Sequence, residues 1–300
     1  MNKINYIDLS KEDIYIDQAI EENLSDYRNI ALLGIDARSD TFSTGNRSDC
    51  IMIISINNKN GDVKIASVYR DTYLDIDGHG LDKVTHAYSY GGPALALSTL
   101  NKNLDLNISE FVAVNFDTVR TAVDSVGGVS ITLENSKEIS SVNSYATDNS
   151  KKITEPGTYN LNGAQALAYS RIRSTAGGDY KRTERMRDVL LALFDKAKTL
   201  SVGELNKLTD VILPHISTNI SKSGIISMIP KISYYNVIND FGWPYKVEGY
   251  TNTLWYAAPV TLEDIVKKLH EELFDEVNYE PSETVEKISQ DIVNKTGYSE

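Results

Sequence analysis

The chain has 300 residues, with 30 Lys plus Arg against 42 Asp plus Glu, a formal net charge of −12. That acidity excludes a nucleic-acid protein working through overall positive charge, though not a small local basic pocket. Apolar residues make up 41% and charged residues 24%, an ordinary globular mix that excludes whole-chain disorder.

Residues 1–28 are polar and acidic, lack a strong apolar period and read as an N-terminal arm, with no signal peptide. Asn29–Ile35, Cys50–Ile56 and Val63–Tyr69 read as three strands, with Asn57–Asp62 as an Asn-Gly hairpin between the last two. Asp71–Lys83 is Gly- and Asp-rich and reads as a loop. Pro93–Leu104 reads as a helix opened by Pro93. Strand 111–116, helix 118–125 and strand 129–133 follow. Residues 135–158 are rich in Ser and Asn and read as a loop; 161–167 reads as a helix capped by Asn160 or Asn162. After a loop with Gly177-Gly178, helices are expected at 183–199, 203–213, 222–234, 261–274 and 282–293. Strands mixed with helices, an antiparallel meander among them, give an α/β or α+β fold with helices flanking a sheet, and no domain boundary stands out. No run approaches the roughly 20 apolar residues of a spanning helix, so the chain as given is expected to be soluble.

The single cysteine, Cys50, allows no internal disulfide and no cysteine-based zinc site, and the four histidines lack metal-ligand spacing. Of these, His86 reads as a hydrogen-bonded structural residue and His79 as exposed loop. If the first three strands pair as consecutive neighbours, Asp36, Asp49 and Arg70 converge at one end of the sheet. Two carboxylates there suit Mg²⁺, which takes one or two carboxylates plus phosphate oxygens. Caps, or pairs with Arg38 and Arg47, explain them equally well.

Residues 171–187 hold six basic side chains (Arg171, Arg173, Lys181, Arg182, Arg185, Arg187) against Asp179 and Glu184. At about 100° per residue, Arg182 shares a face with Met186, Val189 and Leu193 and points inward, Arg187 falls on the opposite, surface side, and Arg185 is intermediate. Arg171 and Arg173 project the same way from an extended stretch. Inward guanidinium groups are poor core and good phosphate receptors, so a Mg²⁺–pyrophosphate site competes with structural salt bridges.

At these residues the sequence resembles the LytR–CpsA–Psr family of cell-envelope phosphotransferases. The matching pieces run in order: LLGIDAR (32–38), NRSDCIM (46–52), VYRDT (68–72), DKVTHAYSYGG (82–92), VDSVGGV (123–129), LNGAQALAYSRIR (161–173) and DYKRTERMRDVL (179–190). The resemblance implies a single α/β domain over residues 29–280, followed by a C-terminal helix or tail at 281–300. Its central mixed sheet contains the meander, has helices on both faces and adjoins a long apolar pocket for lipid. It implies an enzyme that moves a glycan polymer, such as teichoic acid or capsular or secondary cell-wall polysaccharide. The donor is a polyprenyl-pyrophosphate carrier and the acceptor a peptidoglycan hydroxyl. A polyprenyl-pyrophosphate hydrolase and a non-catalytic polyprenyl-phosphate binder are the alternatives. It further implies Mg²⁺, with Mn²⁺ as a substitute, and a place on the extracellular face of a bacterial membrane, reached through the lipid substrate and an N-terminal anchor preceding the arm. Carried over by motif, Asp36 and Asp49 resemble the metal ligands, and Arg47, Arg70, Lys83, Arg171, Arg173 and Arg182 the pyrophosphate-binding set. Arg70, Arg182 and Asp179 are the catalytic candidates, Asp179 either orienting Arg182 or acting as general base. Two positions depart from the pattern: Tyr69 stands where Pro is common, and Met186 where Gln commonly contacts phosphate.

Overall fold

In the computed structural model, the described residues are 4–37, 42–146, 151–173 and 176–299. The elements in chain order are β1 (Asn5–Tyr6), α1 (Gln18–Asn23), β2 (Tyr27–Ile35), β3 (Ser48–Asn57), β4 (Asp62–Val68), β5 (Tyr73–Ile76), β6 (Gly80–Lys83), α2 (Val84–Leu104), β7 (Glu110–Val114), α3 (Phe116–Ser125), β8 (Val129–Leu133), α4 (Ser136–Tyr145), β9 (Gly157–Leu161), α5 (Gly163–Ser170), α6 (Gly178–Lys198), α7 (Val202–Ile212), β10 (Ile216–Thr218), α8 (Lys222–Met228), β11 (Asn236–Trp243), β12 (Val247–Thr251), β13 (Trp255–Pro259), α9 (Leu262–Phe274) and α10 (Glu283–Thr296). Seven strands form a mixed sheet in the order β1-β10-β7-β2-β3-β4-β11. The expected meander is present: β2–β3 and β3–β4 are antiparallel, whereas β4–β11 is parallel.

By compactness the chain divides into two units. The sheet unit comprises Tyr6–Ala113, Thr218–Ile220 and the residues from Tyr235 on. The inserted unit comprises Val114–Ser217 and Ser221–Tyr234, with the start of the chain up to Asn5. No Pro- or Ser-rich linker marks these transitions, so composition gives no sign of them.

In the sheet unit, α2 packs against β3 and α9 against β4. Their shared core includes Leu33, Ile51, Ile53, Val68, Leu97, Leu100, Val266 and Leu269. The apolar run 93–100 is thus core here. Residues 84–104 are two helices joined at Gly91 and Gly92; Gly92 has φ 66° and ψ −154°, backbone only glycine adopts easily, and Pro93 opens the second helix as expected. The expected loop at Asp71–Lys83 is instead the hairpin β5–β6, whose Tyr73, Leu74 and Ile76 are buried. The stretch after Tyr235, left without assignment in the sequence, supplies β11 and the β12–β13 hairpin.

The far end of α2 is tied to the C-terminal helices by a polar knot. His270, fully buried, places Nε2 3.0 Å from the Leu104 carbonyl and Nδ1 2.9 Å from Glu276. Its ring stacks on Tyr279 at 3.6 Å. The Asp105 carboxylate accepts from the Tyr279 hydroxyl at 2.9 Å and from the Ser282 N–H and hydroxyl at 2.7 and 2.6 Å. Ser282 is in turn the N-cap of α10, its hydroxyl accepting from the Val285 N–H.

In the inserted unit, Val123, Val129, Ile131, Val142, Leu161, Ile172 and Val189 form a second core. The polar stretch 135–158 is not a loop throughout: Asn135 caps α4, whose Ile139 and Val142 are buried, and the stretch ends in β9, paired with β8. Helix α5 starts with a capping box between Asn162 and Gln165, which settles the cap in favour of Asn162.

Candidate active site

The charged groups expected to converge at the sheet edge are positioned by the meander. Gly34 pairs with Cys50 and Ile35 with Ser48, so Asp49 is the extra residue of a β-bulge. Bulges re-aim side chains beside functional sites. Asp36 follows the last pair, its N–H donating to the Arg47 carbonyl at 3.0 Å. Asp36 and Asp49 therefore stand at the same strand end, Asp36 exposed and Asp49 buried. Arg47 is exposed, and Arg38 lies outside the described residues. Cys50 packs against the Gly34 backbone so closely that a Cβ built on Gly34 would lie 2.7 Å from the Cys50 Cβ. Gly34→Ala is therefore expected to cost about 1–3 kcal/mol by overpacking. It should also move Asp49. A urea melt matching wild type would show that the bulge tolerates the methyl.

Arg70 emerges just past β4 at the same end. Its Nη1 donates to both Asp49 oxygens at 3.0 Å. Its backbone is held by α2: the carbonyls of Arg70 and Thr72 accept the first N–H groups of that helix, from Thr85 and Val84, at 3.1 and 2.9 Å. These would otherwise be orphan donors of a helix terminus. Tyr69, which departs from the Pro that the resemblance implies, uses the N–H that Pro lacks: it donates to the Trp243 carbonyl at 2.9 Å, carrying the β4–β11 ladder up to Arg70. Asp71, missed in the sequence although it stands in the VYRDT piece, links two of the predicted groups. Its Oδ1 is 2.7 Å from Lys83 Nζ and its Oδ2 3.7 Å from Arg70 Nε. The sheet unit thus assembles an alternating chain of charges, Asp49–Arg70–Asp71–Lys83.

Beside Lys83, the Asp82 carboxylate accepts from Tyr90 at 2.8 Å and lies 2.9 Å from His86 Nδ1. Burial alone would raise the Asp82 pKa, but the hydrogen bonds from His86, Tyr90 and the Lys83 N–H outweigh it and hold the group below its ordinary value. The same bond to Asp82 pushes the Tyr90 phenol up to about 12. His86 is thus hydrogen-bonded as expected, and exposed His79 stacks on Tyr90 at 4.1 Å.

In the inserted unit, α6 begins at Gly178, five residues earlier than expected, so Asp179 and Arg182 both sit in its first turns. Arg182 is buried, as its helical phase requires, and its Nη2 lies 3.1 Å from both Asp179 oxygens. Asp179 Oδ1 is also 3.6 Å from Arg173 Nε. Arg171 and Arg173 are exposed with buried Ile172 between them, but the stretch is not extended as expected: Arg171 is the helical C-cap of α5, with its side chain over the Phe116 ring at 5.0 Å. Two placements differ from expectation. Arg187 is buried rather than surface, and Arg185 is buried rather than intermediate. The reason is that α6 packs against β8, α5 and the 229–234 turn, so more than one of its faces is covered. Met186 is half-buried on this helix.

Among the described residues, no group of three or more His, Cys, Asp or Glu side chains is arranged to hold a metal ion. No helix among the described residues is long and apolar enough to cross a membrane.

A profile of the LytR_cpsA_psr family matches residues 4–272. The chain belongs to the LytR_cpsA_psr family. The family's match extends well beyond the seven motif pieces, through β11–β13 and most of α9. Among individual relatives, the polyisoprenyl-teichoic acid–peptidoglycan teichoic acid transferase TagT of Bacillus subtilis is 33% identical over 227 residues, covering 74% of this chain and 70% of TagT. A solved structure described as TagT bound to LIIa-WTA is similar with a TM-score of 0.68 and 30% identity, covering 83% of this chain and 92% of that one. Another, the LytR-CPS2A-psr family protein YwtF (TagT) with bound octaprenyl pyrophosphate lipid, has a TM-score of 0.66 and 26% identity, covering 89% of this chain and 99% of that one.

Proposed function

We propose that this family member is a phosphotransferase that moves a cell-wall glycan polymer from a polyprenyl-pyrophosphate carrier to a peptidoglycan hydroxyl, at the outer face of a bacterial membrane. The observation that carries this reading is in the inserted unit, where Arg173 and Arg182 share the single carboxylate of Asp179 and Arg171 stands exposed two residues before Arg173. Two guanidinium groups on one carboxylate leave positive charge for an anion, and the bidentate geometry of guanidinium suits phosphate. The names of the relatives and the pyrophosphate lipid bound to one of them support the same chemistry.

In this reading the phosphate-binding roles fall to Arg47, Arg70, Lys83, Arg171, Arg173 and Arg182. The acceptor hydroxyl attacks the sugar-linked phosphorus; a new phosphodiester forms, the bond to the bridging oxygen breaks, and polyprenyl phosphate leaves, taking up the hydroxyl proton. Fixed arginine charges stabilise the negative charge that builds on the departing phosphate, and positioning accounts for most of the rate. Asp179, bonded through both oxygens to Arg182, suits an orienting role better than that of a base. Asp36 and Asp49 would hold Mg²⁺: a carboxylate has about four acceptor sites, so Asp49 can serve Arg70 and a cation together. When bound, Mg²⁺ would neutralise phosphate charge as a Lewis acid.

Binding of a soluble short-chain polyprenyl pyrophosphate, followed by thermal melting with Mg²⁺ or EDTA, tests this reading. Ligand at about 100 times its Kd stabilises by about 2.7 kcal/mol. The expected result is a melting rise that shrinks in EDTA and loses its Mg²⁺ dependence in Asp36→Asn and Asp49→Asn. No rise at saturating ligand would overturn the assignment. Product analysis then separates transfer, which yields a phosphodiester-linked glycan, from hydrolysis, which yields free phosphate ends.

A further inference from the structure

The buried guanidinium of Arg185 has no role in the chemistry above, yet it is held by a built network. Its Nη2 donates to Glu138 Oε1 at 2.8 Å, and both side chains are almost fully buried, 3% and 5% exposed. Glu138 in turn accepts the Glu134 N–H at 2.8 Å through its other oxygen. The Arg185 guanidinium also lies over the Tyr169 ring at 5.8 Å, and the Tyr169 hydroxyl donates to Asp188 at 2.8 Å. A buried ion pair of this kind gives little net stability, because the desolvation of both ions offsets their attraction. Its worth for the site lies in a bond it makes to the chain beside Arg173. Arg185 Nη1 donates to the Ile172 carbonyl at 3.2 Å. That carbonyl belongs to the peptide joining buried Ile172 to exposed Arg173. The N–H groups of Arg171 and Ile172 are already fixed on the Ala168 and Tyr169 carbonyls at 3.3 and 3.2 Å. The bond from Arg185 therefore fixes the orientation of the next peptide plane, from which Arg173 departs.

We infer that Arg185 is a positioning residue for phosphate recognition: clamped by Glu138, it sets the Ile172–Arg173 peptide so that Arg173 presents its guanidinium group to a pyrophosphate in a fixed orientation. This inference rests on the pyrophosphate-transferase reading and adds to it a residue that touches no substrate. Arg185→Lys is the discriminating variant. It keeps the charge facing Glu138 and most of the packed volume, but a single ammonium lacks the fork that spans a carboxylate and a carbonyl.

The test measures farnesyl pyrophosphate binding by calorimetry for wild type, Arg185→Lys, Arg173→Ala and the double variant, with melting temperature as the check on folding. The expected result is about tenfold weaker binding in Arg185→Lys, the effect of roughly one hydrogen bond. In the Arg173→Ala background the same change should cost less than about twofold, because coupled residues are non-additive. A general loss of structure would weaken binding equally in both backgrounds. Wild-type affinity in Arg185→Lys, or an undiminished effect beside Arg173→Ala, overturns the positioning role while leaving the transferase reading intact. If Arg185→Lys does not fold, Glu138→Gln, which loosens the clamp and leaves Arg185 in place, is measured in the same cycle with the same two expected outcomes. Absence of binding by wild type would instead overturn the transferase reading, and the role of Arg185 with it.

Discussion

Arg182→Ala is expected to lower glycan transfer by about 10²–10³-fold, the range found when one preorganised donor to a developing oxyanion is removed. The loss should appear with little change in stability. Arg182 is buried, but its partner Asp179 is partly exposed and keeps Arg173 at 3.6 Å, so the deletion does not strand a buried carboxylate. Arg182→Lys should fall between wild type and Ala, since a lysine supplies charge without the planar fork. The measurement is transfer of a labelled polymer under single-turnover conditions, beside a thermal melt. A rate within threefold of wild type would remove Arg182 from the chemistry.

His270→Ala is expected to have the opposite profile: a loss of about 3–5 kcal/mol of stability, the size seen when one partner of a buried polar network is removed. The Leu104 carbonyl would lose its ring partner at Nε2, Glu276 the ring nitrogen 2.9 Å from it, and Tyr279 the ring stacked on it at 3.6 Å. Tyr279→Phe, which removes only the hydroxyl bond to Asp105, should cost about 1 kcal/mol. Urea unfolding of both variants, with pyrophosphate binding measured on the folded fraction, checks the prediction. A cost for His270→Ala below 1 kcal/mol would mean that the knot contributes little to the sheet unit.

What the sequence made legible follows physical range. The meander could be read because its strands are consecutive, apolar and joined by an Asn-Gly turn, and the convergence of Asp36, Asp49 and Arg70 at one strand end follows from that order; the bond between Asp49 and Arg70 is seen only in the structure. The parallel strand β11 pairs with β4 across the whole inserted unit, and no local signal announces it. Helix α4 was hidden by its Ser- and Asn-rich composition; its burial comes from Ile139, Val142 and the Glu138 partner supplied 47 residues later by Arg185. The two-sided burial of α6 defeated a one-face reading of Arg187. Asp71 needed no long-range information: an acidic residue directly after Arg70 was in view, and only its place between Arg70 and Lys83 gives it significance.

The parallel join between β4 and β11 has a consequence for synthesis. By the time a ribosome has released residue 234, the inserted unit has all of its chain, while the sheet unit still lacks β11, the β12–β13 hairpin, α9 and α10. Until then β4 is an unpaired edge, and the face of α2 destined for α10 has no cover. Such edges template pairing with other chains. A nascent chain halted near residue 234 should therefore be the species most in need of a chaperone. Release of Asn236–Trp243 is what covers that edge of the sheet.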